Sequence, residues 1–254
     1  MLLKNGCGVV TGCNRGIGLS ILNNLSKHGA DIFACVRNID EEFINLKKKI
    51  EKENKNKIEI VKLDLKSESS VKSAVSEINS FNKNINFIVN NGAVIHNKLF
   101  QMTKIEEFYD TFKINFFNQV LFTQGLMRNL IKKKEGSIVF LSSSAAKDGN
   151  LGRSAYSSSK SALTSFSKVL SRELGIYGIR VNSISPGLTN TEMMKQSTSP
   201  DSLENILKDI PLKRIGEPID ISNFILFLVS DYSKYITGQD FRLDGGLKWS
   251  VILI

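Results

Sequence analysis

The sequence predicts an α/β protein: a doubly wound parallel sheet of seven strands with helices on both faces, three layers in αβα order. Three observations predict it. Seven short runs rich in aliphatic and β-branched residues recur along the chain, at 8–11, 31–36, 58–63, 87–90, 137–142, 180–184 and 240–243. Most are continuously apolar, as strands covered on both faces are. Longer amphipathic stretches separate them, which is the rhythm of strand–helix–strand crossovers.

The elements follow in order. The first strand runs into a glycine-rich turn and a helix at 16–28, which Gly29 stops. The second strand leads to a helix at 40–54. The third leads to a helix at 67–81, where Ser67 offers a hydroxyl N-cap ahead of a Val71, Val75 and Ile78 stripe. The fourth strand is followed by helical sequence over 104–133, long enough to be broken in the middle. The fifth precedes a helix at 154–177. Residues 195–211 read as a loop that covers a substrate, and a helix at 218–230 precedes the last strand.

Composition narrows the class. The chain has 254 residues, 41 % of them hydrophobic, with four prolines and no Pro/Gly/Ser-rich linker. One domain over 1–254 is expected. The net charge of +9 is spread along the chain. Its densest runs, Lys47 to Lys49 and Lys132 to Lys134, read as solvated faces rather than a nucleic-acid patch, since no zinc-finger spacing or RNA-binding aromatic motif accompanies them. Cys7, Cys13 and Cys35 form no C-x-x-C, and His28 and His96 are the only histidines, so no metal site is expected. The cysteines read as small buried thiols of a reduced compartment. The N-terminus lacks the apolar core of a signal peptide, and the longest apolar runs, 224–229 and 251–254, are too short to span a bilayer.

Four motifs carry chemistry. Thr11-Gly12-Cys13-Asn14-Arg15-Gly16-Ile17-Gly18 lies between the first strand and the first helix. Glycines there permit a tight turn and close backbone approach, and a helix N-terminus attracts a pyrophosphate. This is the logic of the Rossmann dinucleotide fold. The second strand ends in Arg37 where an NAD-binding chain places an acid. Arg37 and Arg15 suit a 2′-phosphate, so NADP is expected over NAD. Asp64, followed by Leu65, ends the third strand. Its carboxylate can accept from an adenine amino group or cap a turn.

The fourth motif is Tyr156-Ser-Ser-Ser-Lys160, with Ser143 at the end of the fifth strand. One helical turn puts the phenol and the ammonium on one face. A free tyrosine has a pKa near ~10, and a cation held close lowers it. Ser143 can donate to a substrate oxygen while the tyrosine moves a proton.

Taken together, these motifs resemble the short-chain dehydrogenase/reductase family of the one-domain kind, over essentially the whole chain. Asn90-Asn91-Gly92-Ala93, Asn115, Pro186-Gly187-Leu188-Thr189-Asn190-Thr191 and Asp244-Gly245-Gly246 complete the likeness. The resemblance implies that Tyr156 is the acid/base and that Lys160 lowers its pKa and binds the nicotinamide ribose. It implies that Ser143 holds the substrate oxygen and that Asn115 positions a water linking Lys160 to solvent. Gly12, Asn14, Arg15, Gly16, Ile17 and Gly18 would cradle the phosphates, with Arg37, Asp64, Leu65, Asn90 and Gly92 along the adenosine. Pro186, Gly187, Thr189 and Thr191 would fix the nicotinamide, although Thr191 also fits a helix N-cap.

The look is nearest to the 3-oxoacyl carrier-protein reductases of fatty-acid synthesis. That implies NADPH, a ketone on acyl carrier protein, a cytoplasmic location and a homotetramer or homodimer built on the long helices and the C-terminal edge. A sugar, polyol or other small ketone is the alternative substrate, and a non-catalytic NADP-binding sensor the alternative of another class. Two departures stand out. The family's Asn-Asn-Ala-Gly reads Asn90-Asn91-Gly92-Ala93 here, and a positive φ at Ala93 would strain it. Of two positions that would dock an acidic carrier, one is Lys134 but the other is Tyr177. The apolar end from Trp249 to Ile254 would enter an interface or complete the core.

Overall fold

The computed structural model describes residues 2–247. The apolar end from Trp249 onward lies outside them. Seven parallel strands form one sheet: β1 (Cys7–Thr11), β2 (Asp31–Val36), β3 (Ile58–Lys62), β4 (Phe87–Asn90), β5 (Gly136–Leu141), β6 (Ile179–Pro186) and β7 (Asp240–Leu243). Their order is β3-β2-β1-β4-β5-β6-β7. The chain starts in the middle, winds outward through β2 and β3, then returns to β4 on the other side of β1. That reversal opens a crevice at the carboxyl ends of β1 and β4, where ligands of such sheets bind.

Period-two alternation decides which layer each side chain enters. Val9, Phe33, Cys35, Ile88, Ile138 and Phe140 pack under α3 (Glu68–Ser80), α5 (Asn118–Lys133) and α7 (Ser154–Gly175). Val10, Ala34, Val89 and Val139 face α1 (Gly16–Lys27), α2 (Glu41–Asn54) and α10 (Pro218–Val229). Phe122, Leu126 and Leu130 of α5 are fully buried at helical spacing, and each such side chain contributes about 1.5–3 kcal/mol. The three cysteines are buried free thiols. Burial pushes Cys7 up to about 11 and Cys13 up to about 12, so both stay protonated and inert.

Helix starts follow local chemistry. Ser67 accepts from the Ser70 amide at 3.2 Å, as its sequence position suggested, and Asp40 caps α2 through the Phe43 amide at 2.8 Å. Two expectations need correction. Residues 195–211 are not a plain loop: they hold the end of α8 (Glu192–Ser197) and all of α9 (Pro200–Asp209). Ser199 caps α9 by accepting from the Ser202 amide, and Pro200 opens it, a start signal present in the sequence. A one-turn helix, α6 (Ala145–Asp148), was also not expected.

The break expected within 104–133 is real and has a form. α4 (Ile105–Phe112) passes into a π-turn, Lys113–Phe117, before α5 begins. Such a turn inserts extra backbone and re-aims a side chain inward. The side chain so aimed is Asn115, which is fully buried.

Candidate active site

The crevice is a groove of about 630 Å³ running from the glycine turn to α8. At one end Gly12, Asn14, Arg15, Gly16, Ile17 and Gly18 line it. Gly12 has φ +67°, and a Cβ on it would meet the Gly92 Cα at 2.8 Å. A Cβ on Gly18 would lie 2.0 Å from the Gly12 carbonyl oxygen. The turn can therefore close tightly onto the first turn of α1 only with glycine at both places. Arg15 and Arg37 line the same end and are exposed. Asp64 and Leu65 lie beside them, with the Asp64 carboxylate also accepting from the Lys66 amide at 2.9 Å.

The loop after β4 is held by groups that the sequence reading passed over. The Thr11 hydroxyl accepts from the amides of both Asn91 and Gly92 at 3.0 Å. The Asn91 side chain donates to the carbonyls of Thr11 and Gly12 at 3.0 and 2.9 Å. Gln119 on α5 donates to the Gly92 carbonyl at 2.7 Å. Ala93 is not among the described residues with positive φ, so the swapped Gly92-Ala93 order carries no strain. Asn90 sends its side chain into the protein, which leaves only its backbone for the expected contact with the adenosine ribose. It is fully buried, its amide donates to Thr123 at 3.0 Å, and Asn91 to His96 line the groove instead.

At the other end β5 and α7 bring Ser143, Tyr156 and Lys160 together on the groove wall. The Ser142 hydroxyl donates to the Lys160 carbonyl at 2.9 Å, and Thr164 donates to Ser142 at 2.9 Å, tying the strand end to the helix. Two further ties fix α6 behind Ser143. Arg242 of β7 grips Asp148 through two hydrogen bonds of 2.7 and 2.8 Å. Lys147 pairs with the buried Asp240 at 2.8 Å.

Asn115 clamps the loop after β4. Its side chain accepts from the Val94 amide and donates to the Val94 carbonyl, both at 2.9 Å, and it donates to Ser159 at 3.1 Å. Ser159 in turn donates to the Tyr156 carbonyl at 2.7 Å. Asn115 thus connects the π-turn, the β4 loop and the backbone of α7. Replacing Asn115 by Ala leaves the half-buried amide and carbonyl of Val94 without their partner. The expected cost is ~2–4 kcal/mol in urea unfolding, with retention of wild-type stability counting against the clamp.

The electrostatics depart from the simple pairing expected of Tyr156 and Lys160. Burial pushes the Tyr156 phenol above its usual value, while a hydrogen bond with Ser143 and the nearby Arg153 guanidinium pull it back. Burial lowers Lys160 to about 7. Its Nζ donates to the Leu141 carbonyl at 2.6 Å and sits 5.9 Å from the centre of the Tyr156 ring. Lys160 therefore holds its proton only weakly, and Ser143 and Arg153 are the groups that acidify the phenol.

Beyond β6, Pro186, Gly187, Thr189 and Thr191 line the groove. Thr191 is the N-cap of α8, accepting from the Met194 amide at 3.2 Å. Its methyl faces Gly16 across the groove: a Cβ on Gly16 would lie 3.2 Å from it. The residue that motif reasoning missed is Arg153, three before Tyr156, which also lines the groove.

Residues 12–248 match the family described as enoyl-(acyl carrier protein) reductase. The chain belongs to the short-chain dehydrogenase/reductase family. It is an oxidoreductase acting on CH–OH and C=O groups. The 3-oxoacyl-[acyl-carrier-protein] reductase of Aquifex aeolicus is 32 % identical over 249 residues, which cover 96 % of this chain and 98 % of the relative. The Escherichia coli enzyme of the same name is 30 % identical, over 94 % of this chain and 96 % of that one. Among solved structures, a short-chain dehydrogenase/reductase from Mycobacterium ulcerans superposes with a TM-score of 0.91 at 26 % identity, covering 97 % of this chain and 91 % of its own. The L-sorbose reductase of Gluconobacter frateurii shares the fold, with a TM-score of 0.89 at 24 % identity and 98 % of each chain covered.

Proposed function

We propose that the chain is an NADPH-dependent reductase of ketone carbonyls, with a 3-oxoacyl thioester on acyl carrier protein as its substrate. The observation that carries this reading is the convergence of Ser143, Tyr156 and Lys160 on one wall of a groove whose far end is a glycine cradle flanked by two arginines. On this reading one domain both binds the dinucleotide and carries the catalysis. The turn suits the cofactor, because glycine at 12 and 18 lets it close tightly onto the N-terminus of α1, where a pyrophosphate is favoured. Arg15 and Arg37 would hold the 2′-phosphate, the first turn of α1 the pyrophosphate, and Asp64 with Leu65 the adenine. Thr189 and Thr191 would stand at the nicotinamide.

When bound, the reduced nicotinamide supplies a hydride to the carbonyl carbon. The chain supplies the rest. Ser143 donates to the carbonyl oxygen and holds it against the phenol. Tyr156 gives that oxygen its proton as negative charge develops there. Lys160 then favours return of a proton to the phenolate, and the buried Asn115 orders the backbone through which solvent reaches it.

The names of the curated relatives support the thioester. So does Lys134, which is exposed with its carbonyl directly beside Gly178, adjoining Tyr177. Lys132, Lys133 and Lys134 together offer a basic rim suited to an acidic carrier protein. A homotetramer or homodimer in the cytoplasm completes the reading. Its support is the exposed apolar set Phe100, Met102, Ile105, Tyr109 and Phe117 around α4 and the start of α5.

The test is a comparison of kcat/KM for an acetoacetyl thioester, a ketose and a simple ketone, each with NADPH and NADH. The thioester with NADPH is expected to lead, and a ketose leading by tenfold would move the assignment to sugar chemistry. Changing Arg15 and Arg37 together to Ala is expected to reduce the NADPH-over-NADH preference by ~10- to 100-fold. An unchanged preference would remove both arginines from 2′-phosphate recognition.

A further inference from the structure

Arg153 is the N-cap residue of α7, and so far its one part in the chemistry is its field at the Tyr156 phenol. It is half-buried and shares the groove wall with Tyr156. Its Nε donates to Asn97 Oδ1 at 3.1 Å and its Nη2 to the Ser197 carbonyl at 3.5 Å. Both acceptors are neutral. The other half-buried arginines have acids at hand: Arg242 pairs with Asp148 and Asp244, and Arg180 faces Asp231 and Glu135. Among the described residues Arg153 has no such partner, and the one charge-bearing group it feels is the Tyr156 phenol. A guanidinium taken partly out of water without an anion is costly, and the cost is recovered when an anion arrives.

A second observation lies beside it. The hydroxyl of Thr198, the residue after Ser197, is buried without a hydrogen-bond partner and lines the same groove. A cation and an unused hydroxyl thus border the place where a ketone must sit to reach Tyr156. Arg15 and Arg37 already serve the opposite end, so this second positive site is not needed for a cofactor phosphate.

Resting on the reading of the chain as an NADPH-dependent carbonyl reductase, we infer that Arg153 recognises an anionic group on the substrate, and that the groove reduces oxo acids whose free carboxylate lies a few bonds from the ketone. The carboxylate pairs with the Arg153 guanidinium and accepts from Thr198. The ketone carbon takes a hydride from NADPH, forming a C–H bond as the C=O π bond opens. The oxygen takes the Tyr156 proton, leaving a hydroxy acid and NADP⁺, and solvent returns the proton to the tyrosine. Arg153 also lies close enough to Tyr156 to favour the phenolate once the proton has left.

The experiment compares acetoacetate and 3-oxohexanoate with their methyl esters, which keep shape and lose charge. An acetoacetyl thioester serves as a third substrate. Wild-type enzyme is expected to prefer at least one acid to its ester in kcat/KM. Arg153→Gln is expected to lower that acid-to-ester ratio by ~10- to 100-fold. Arg153→Lys is expected to restore part of it. Asn97→Ala, which removes the neutral anchor but keeps the charge, is expected to leave the ratio within a few-fold of wild type.

Two results overturn the assignment. One is an acid-to-ester ratio that Arg153→Gln does not change, the outcome if Arg153 only acidifies Tyr156 or fastens α8. The other is a wild-type enzyme that reduces thioester and esters but neither acid, which leaves the reductase reading standing. Absence of turnover with every ketone instead removes the reductase reading itself.

Discussion

Tyr156→Phe is expected to cut kcat for carbonyl reduction by about two to four orders of magnitude. The ring stays, so the packing of α7 against β5 stays. What is removed is one hydroxyl, whose pKa Ser143 pulls down, on a residue that lines the groove. NADPH binding followed by fluorescence is expected to persist, which separates lost chemistry from lost binding. The pH profile carries a sign. The donor form of the phenol is the protonated one, and burial raises its pKa. Reduction is therefore sustained through neutral pH and declines on the alkaline side, and that alkaline limb is expected to vanish in the Phe variant. Undiminished turnover in a folded preparation would place the proton donor elsewhere. Tight NADPH binding without turnover in the wild type would instead favour a nucleotide sensor.

Lys160→Met is expected to abolish turnover and yet stabilise the cofactor-free protein at mildly acidic pH. Lys160 is buried, and burial brings its pKa from 10.5 down to about 7. Between those values the unfolded chain holds a proton that the folded chain has released, so stability rises with pH across that window. Below about pH 7 both states are protonated and the folded state bears the full cost of a buried ammonium. An apolar residue of similar length removes that cost, by ~1–4 kcal/mol on the pattern of buried charges replaced by apolar groups. Thermal unfolding at pH 6 and pH 10 checks it: the variant melts higher at pH 6, and the gap narrows by pH 10. A gap that widens toward pH 10 would mean that the Leu141 hydrogen bond, rather than desolvation, governs this position.

The seven strands and their order of appearance were legible because parallel strands buried on both faces are written as apolar runs. Ser143, Tyr156 and Lys160 were legible because each stands at a fixed offset within one strand or one helical turn. What the sequence hides is contact between distant segments. Alternation along β4 sends the Asn90 side chain inward to Thr123, a contact 33 residues away that spacing does not show. Arg153 lies one turn before Tyr156 and reads as an ordinary helix start. Only the fold shows that it borders the groove without an acid. α9 is a different case, since Ser199-Pro200 signals a helix start, and the Ser/Thr-rich sequence before it masked that signal. The directions of the Tyr156 and Lys160 shifts depend on desolvation, which spacing does not reveal.

The grip of Arg242 and Asp240 on α6 means that the edge strand β7 braces the segment that follows Ser143. The backbone on either side of Ser143 is also held by β6, where the Ser142 and Ser144 amides donate to the Ile184 and Pro186 carbonyls at 2.7 and 2.9 Å. A substitution at Arg242 or Asp240, neither of which lines the groove, is transmitted to Ser143 through α6.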